Sequence, residues 1–91
     1  MAEPIPDYRV TPHAGFEMAR RGIDETVLRQ VLGAPEQRWS VRPGREMLQS
    51  RVSFEGKDYL VRVFMDVDRT PAEVVTVYRT SNIAKYWRIG P

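Results

Sequence analysis

The four residues Phe54-Glu55-Gly56-Lys57 constrain the fold of this chain more than any others. They stand between two runs in which apolar and polar residues alternate, and the glycine accepts the positive φ that a two-residue hairpin turn demands. With Phe54 facing Lys57, Val52 falls opposite Tyr59, Ser50 opposite Val61 and Leu48 opposite Val63, which makes this the core face of a sheet. The same register sets Gln49, Arg51 and Ser53 beside Arg62, Leu60 and Asp58 on the other face, which is polar and carries two arginines. A third strand, about Glu73 to Arg79, follows the polar loop Asp66 to Ala72, and an antiparallel meander is the simplest topology. With Val75 and Val77 directed at the core, Thr76 and Tyr78 join the polar face. A strand near Gln37 to Val41 completes a sheet of about four strands.

Ahead of the sheet the period is helical. Thr11-Pro12 reads as an N-cap followed by proline at the first helical position, where its missing N–H costs nothing. That helix carries His13 to Arg21 and stops at Gly22. Asp24 caps a second helix, in which Val27, Leu28, Val31 and Leu32 recur as one buried stripe, and Gly33 and Pro35 close it. After Ser81, the spacing of Ile83, Tyr86 and Trp87 predicts a short C-terminal helix that folds back on the domain. The expected fold is therefore α+β, with two N-terminal helices packed on an antiparallel sheet. Residues 1–7 are expected to be a flexible lead-in and residues 8–91 a single domain, since 91 residues leave no room for a second core.

Composition narrows the function classes. At 42% hydrophobic and 29% charged, the chain has the balance of a folded domain and not of a disordered one. The absence of cysteine excludes a disulfide framework, a thiolate zinc site and a cysteine nucleophile, and it fits a reducing compartment. The N-terminus lacks the basic region and apolar run of a signal peptide. The apolar stretches, such as Val74 to Tyr78, fall short of the roughly 18 residues of a membrane helix. A cytoplasmic protein with no membrane partner is expected. Because the net charge is only +2, the placement of the arginines decides the argument about partners.

Arg51 and Arg62 share the polar sheet face with Gln49, Ser53, Thr76 and Tyr78, and Arg45 lies just before the hairpin. Guanidinium forks grip phosphate oxygens, and a ring such as Tyr78 or Trp87 stacks on an unpaired base, so single-stranded RNA matches both features. The plainer reading is a solvated face whose arginines only pair with Asp58 or Glu73. His13, the single histidine, is either structural or a general acid or base, with Glu17 and Arg20 along its face of the helix. Asp66 and Asp68 read as turn residues, and no metal site is expected.

Taken as a set, these residues resemble a known family: His13-Ala14, Arg21-Gly22-Ile23, Val31-Leu32, Pro35-Glu36, Gly44-Arg45-Glu46, Gln49-Ser50, the run Val74 to Ser81, and Lys85-Tyr86-Trp87. The family is the bacterial domain of unknown function family 4258, and the resemblance runs from about Tyr8 to Trp87. It is related to the RelE and BrnT toxins, small ribonucleases of toxin-antitoxin pairs with helices on a curved antiparallel sheet. The resemblance implies a RelE-like fold and an endoribonuclease that cuts single-stranded RNA with neither metal nor cofactor. It also implies a small antitoxin protein, encoded by a neighbouring gene, as partner.

Residue by residue, His13, Arg21, Arg45, Gln49, Thr76, Tyr78 and Arg79 match the family pattern. Glu17 departs from it, standing where many members have an arginine four residues after the histidine. The expected catalytic set is His13, Arg51, Arg62, Thr76 and Tyr78; Arg21, Arg45, Gln49, Arg79 and Lys85 are expected to bind the RNA. The reaction is attack of a ribose 2′-hydroxyl on the adjacent phosphate, which needs a base, an acid and charge stabilisation but no protein nucleophile. A non-catalytic module holding RNA or a protein on the same face, and a degenerate toxin kept as an interaction domain, are the alternatives.

Overall fold

The computed structural model describes residues 2–89. In chain order the elements are β1 (Tyr8–Val10), α1 (Pro12–Arg20), α2 (Glu25–Gly33), β2 (Gln37–Arg42), β3 (Arg45–Phe54), β4 (Lys57–Asp66), β5 (Ala72–Thr80) and α3 (Ile83–Tyr86). The architecture is mixed α+β, with one sheet in the order β1-β5-β4-β3-β2. Among the described residues no helix is long and apolar enough to cross a membrane.

The hairpin register is the one the Glu55-Gly56 turn predicts: Phe54 pairs with Lys57, Val52 with Tyr59, Ser50 with Val61, Leu48 with Val63 and Gln49 with Arg62. Both central turn residues have positive φ, 53° at Glu55 and 82° at Gly56, which is the backbone twist a tight hairpin needs. Leu48, Val52, Val61 and Val63 are buried beneath Ala14 and Met18 of α1 and Leu28, Val31 and Leu32 of α2. Both helices begin as expected. The Thr11 hydroxyl oxygen accepts from the Ala14 N–H at 3.2 Å, and the Asp24 carboxylate accepts from the Val27 N–H at 2.9 Å.

Four features differ from the sequence reading. The sheet has five strands, not about four, because Tyr8–Val10 pairs in parallel with Ala72–Val74 at the edge of β5. The lead-in is docked: the Ile5 N–H donates to the Leu32 carbonyl at 2.8 Å, and the Ile5 side chain is buried. In β5 the register shifts where Phe64 gives way to Met65, so Val74 and Val77 take the core positions and Val75 is only half-buried. Finally, the face opposite the helices is not open to solvent. Met47, Gln49, Leu60 and Arg62 are buried there, although they project from the sheet on the side away from α1 and α2.

Candidate functional site

The polar sheet face is built by alternation along three strands. Gln49 on β3, Arg62 on β4 and Tyr78 on β5 lie in register side by side. Arg62 donates from Nε to the Gln49 side-chain oxygen at 2.9 Å and from Nη1 to the Tyr78 hydroxyl at 2.5 Å. Its guanidinium carbon lies 4.4 Å from the centre of the Tyr86 ring, 5.6 Å from that of Tyr78 and 5.9 Å from that of Phe64. Gln49 donates in turn to the Gln37 side chain at 2.7 Å and to the Tyr86 carbonyl at 3.1 Å. Gln37 then clamps Arg88 through both its backbone N–H and its carbonyl. One continuous hydrogen-bond chain therefore runs from Tyr78 through Arg62 and two glutamines to the C-terminal segment, and it draws that segment over the face.

Arg62 is the unusual member. It is 9% exposed, yet among the described residues no carboxylate lies within 4.0 Å of it. A buried guanidinium normally holds an acid, since an uncompensated charge is costly away from water. Here three aromatic faces and two neutral oxygens stand in for one. Among the described residues no buried side-chain nitrogen lacks a partner, so the Arg62 nitrogen without a protein acceptor still reaches water.

The other expected residues are distributed as follows. Thr76 is half-buried on the same face, opposite Phe64. Lys85 is exposed on α3, with its ammonium 5.2 Å from the Tyr86 ring centre. Arg21 comes round the open edge of β5: Nη1 donates to the Val77 carbonyl at 3.0 Å, and the guanidinium carbon lies 5.9 Å from the Tyr78 ring centre. Arg51 belongs to the face but is committed elsewhere. It grips Glu36 through Nε at 3.1 Å and Nη2 at 2.8 Å, and it stacks on Trp87 at 4.4 Å. Its partner is thus Glu36 and not the expected Asp58 or Glu73. Arg45 is held by Asp66 at 2.6 Å.

Arg79 is not on this face; it pairs across the sheet with Val61 and so emerges on the helical side. His13 is exposed in the first turn of α1, with no side-chain hydrogen bond among the described residues. The expectation that Gln49, Arg51, Arg62 and Thr76 form one solvent-facing set is corrected to a covered pair, Gln49 and Arg62, flanked by an ion-paired Arg51 and a half-exposed Thr76.

Electrostatics at the rim follow from the pairs. The Arg51 fork holds the Glu36 carboxyl below the ordinary glutamate range, and Glu36 raises Arg51 in return. Arg20, followed by the fields of Arg21 and His13, lowers Glu17 in spite of its burial. Sequence reasoning missed Tyr86 as the cover of Arg62, Gln37 as the clamp and Glu36 as the partner of Arg51. Only Tyr86 had a signal, the helical stripe after Ser81. Compared with known proteins, the chain matches no family model, no curated protein and no solved structure.

Proposed function

We propose that the chain is a RelE-like toxin domain that cuts single-stranded RNA without a metal, with Arg62 and Tyr78 at its chemical centre. The observation that carries this reading is the Arg62 to Tyr78 hydrogen bond. Because the phenol oxygen accepts from the guanidinium, the Tyr78 O–H is left to donate to another atom, and Arg62 supplies charge without a carboxylate to cancel it. In the reaction the ribose 2′-oxygen bonds to phosphorus while the bond from phosphorus to the 5′-oxygen breaks, leaving a 2′,3′-cyclic phosphate. Tyr78 gives its proton to the departing 5′-oxygen, and Arg62 balances the charge that gathers on the phosphate. The 2′-hydroxyl proton leaves to solvent water; His13 begins the helical stripe His13-Glu17-Arg21 whose far end, Arg21, is the part that touches the Tyr78 ring. Tyr86 lies over Arg62 and, with Tyr78, offers a ring face on which an unpaired base can stack. The partner is a small acidic antitoxin laid over the same face.

A second reading, a non-catalytic module for RNA or protein, is favoured by the commitment of Arg51 to Glu36 and of Arg45 to Asp66. A single-stranded RNA incubated with the chain in the presence of a chelator separates the two. Cleavage with cyclic phosphate ends, falling about a hundredfold or more in Tyr78→Phe, is expected for the first. Binding by gel shift with intact RNA selects the second. Growth arrest on expression, relieved by co-expressing the neighbouring gene product, tests the partner.

A further inference from the structure

We propose a second anion site, on the helical side of the sheet where α1 ends, that takes a phosphate group through Arg79. Arg79 leaves β5 on the face opposite Tyr78. Its guanidinium carbon lies 4.2 Å from the centre of the Phe54 ring and 4.7 Å from that of Tyr59. These two rings fix where the planar fork sits while leaving its N–H groups free. Among the described residues no carboxylate lies within 4.0 Å of Arg79, and no protein atom accepts a hydrogen bond from its side chain. Its nitrogens reach water, because among the described residues no buried side-chain nitrogen is without a partner.

The fork stands between two clefts. One, of about 590 Å³, is lined by Arg20, Arg21 and Tyr59; the other, of about 470 Å³, by Ser53, Phe54 and Glu55. Gly22 borders both. Its φ of 67° follows the end of α1, and a side chain there would begin 3.6 Å from Arg79 Nη2, so the absence of one keeps the fork uncovered. The surroundings are cationic. Arg20 and Arg21 share the single carboxylate of Glu17, and the Lys57 ammonium lies 5.5 Å from the Tyr59 ring centre. Glu55 is the opposing charge at the rim of the smaller cleft. An unspent planar fork in a cationic surround, beside shallow open depressions, suits a phosphate group more than a neutral ligand. That phosphate belongs either to a free nucleotide or to an RNA chain. The site lies apart from Arg62 and does not depend on the ribonuclease reading.

The test titrates the full chain with inorganic phosphate, a nucleoside 5′-monophosphate and a short single-stranded RNA. Binding is followed by NMR through the Arg79 Nε–H and the Tyr59 ring. Saturable shifts at both groups are expected. Affinity should fall at least about tenfold in Arg79→Gln and stay unchanged in Arg29→Gln, an exposed arginine of α2 outside both sites. Arg79→Lys keeps the charge but loses the fork, and it is expected to weaken binding as well; it decides the matter if Arg79→Gln fails to fold. Tightest binding of the monophosphate assigns the site to a free nucleotide, and tightest binding of the oligomer assigns it to RNA. No saturable shift with any probe up to about 10 mM, or full affinity in a folded Arg79→Gln, overturns the proposal.

Discussion

Glu17 is buried in α1 and faces two arginines, with Arg21 at 2.5 Å and Arg20 at 3.0 Å. It therefore neutralises charge at the start of the basic edge that leads to Tyr78. Its carboxyl is held low first by the Arg20 hydrogen bond; Glu36, Asp66 and Glu73 are held low in the same way by Arg51, Arg45 and Arg9. A carboxyl depressed in the folded state contributes stability that is fully present above its unfolded value, about 4, and is lost as pH falls through the folded value. The urea midpoint is thus expected to stay level from pH 7 to about pH 5 and to drop below about pH 4. In Glu17→Gln the acid limb should be shallower. A midpoint that stays level down to about pH 3 would contradict this account.

The β3–β4 hairpin holds the register of the whole sheet, yet its turn places a glutamate where the backbone is left-handed, at a φ of 53°. An L-residue with a long side chain is strained there, and asparagine is tolerated better. Glu55→Asn is expected to raise stability by about 1 kcal/mol in urea unfolding. The pairing of Gln49 with Arg62 could be read from sequence because this turn is local and the alternation on either side admits one register. β1 could not, since three residues joining β5 in parallel leave no periodic trace. Nor could the partner of Arg51, because Glu36 lies fifteen residues away and meets it only once β2 is laid down. The stripe of Ile83, Tyr86 and Trp87 announced a helix without showing that its turn would close over Arg62. That cover is structural: Tyr86→Ala should cost about 2 kcal/mol by thermal unfolding. Phe16→Ala, at a side chain 65% exposed, should stay within about 0.5 kcal/mol.

Across the whole molecule, the arginines divide by what they face. Arg9, Arg20, Arg21, Arg38, Arg45, Arg51 and Arg69 each pair with a carboxylate, and Arg29 lies 4.0 Å from Glu25. Among the described residues Arg42, Arg62, Arg79 and Arg88 do not, and neither do Lys57 and Lys85. The sheet is coated on one side by α1 and α2, which places Arg79 and Arg62 on opposite faces. On the Tyr78 side the cations free of acid are Arg42, Arg62, Lys85 and Arg88, the last stacked 4.7 Å from the Trp39 ring centre. On the proposed reading, an RNA strand laid on this face would neutralise about four phosphates without first breaking an ion pair. Since each phosphate on a single strand contributes about −0.7 to the slope of log K against log salt, that slope should be about −3. Fluorescence anisotropy of a short oligomer at four or five salt concentrations measures it. A slope of about −4 or steeper would mean that Arg45 and Arg51 abandon Asp66 and Glu36 for RNA. A slope near zero would mean that stacking on Tyr78 and Tyr86, and not charge, holds the strand.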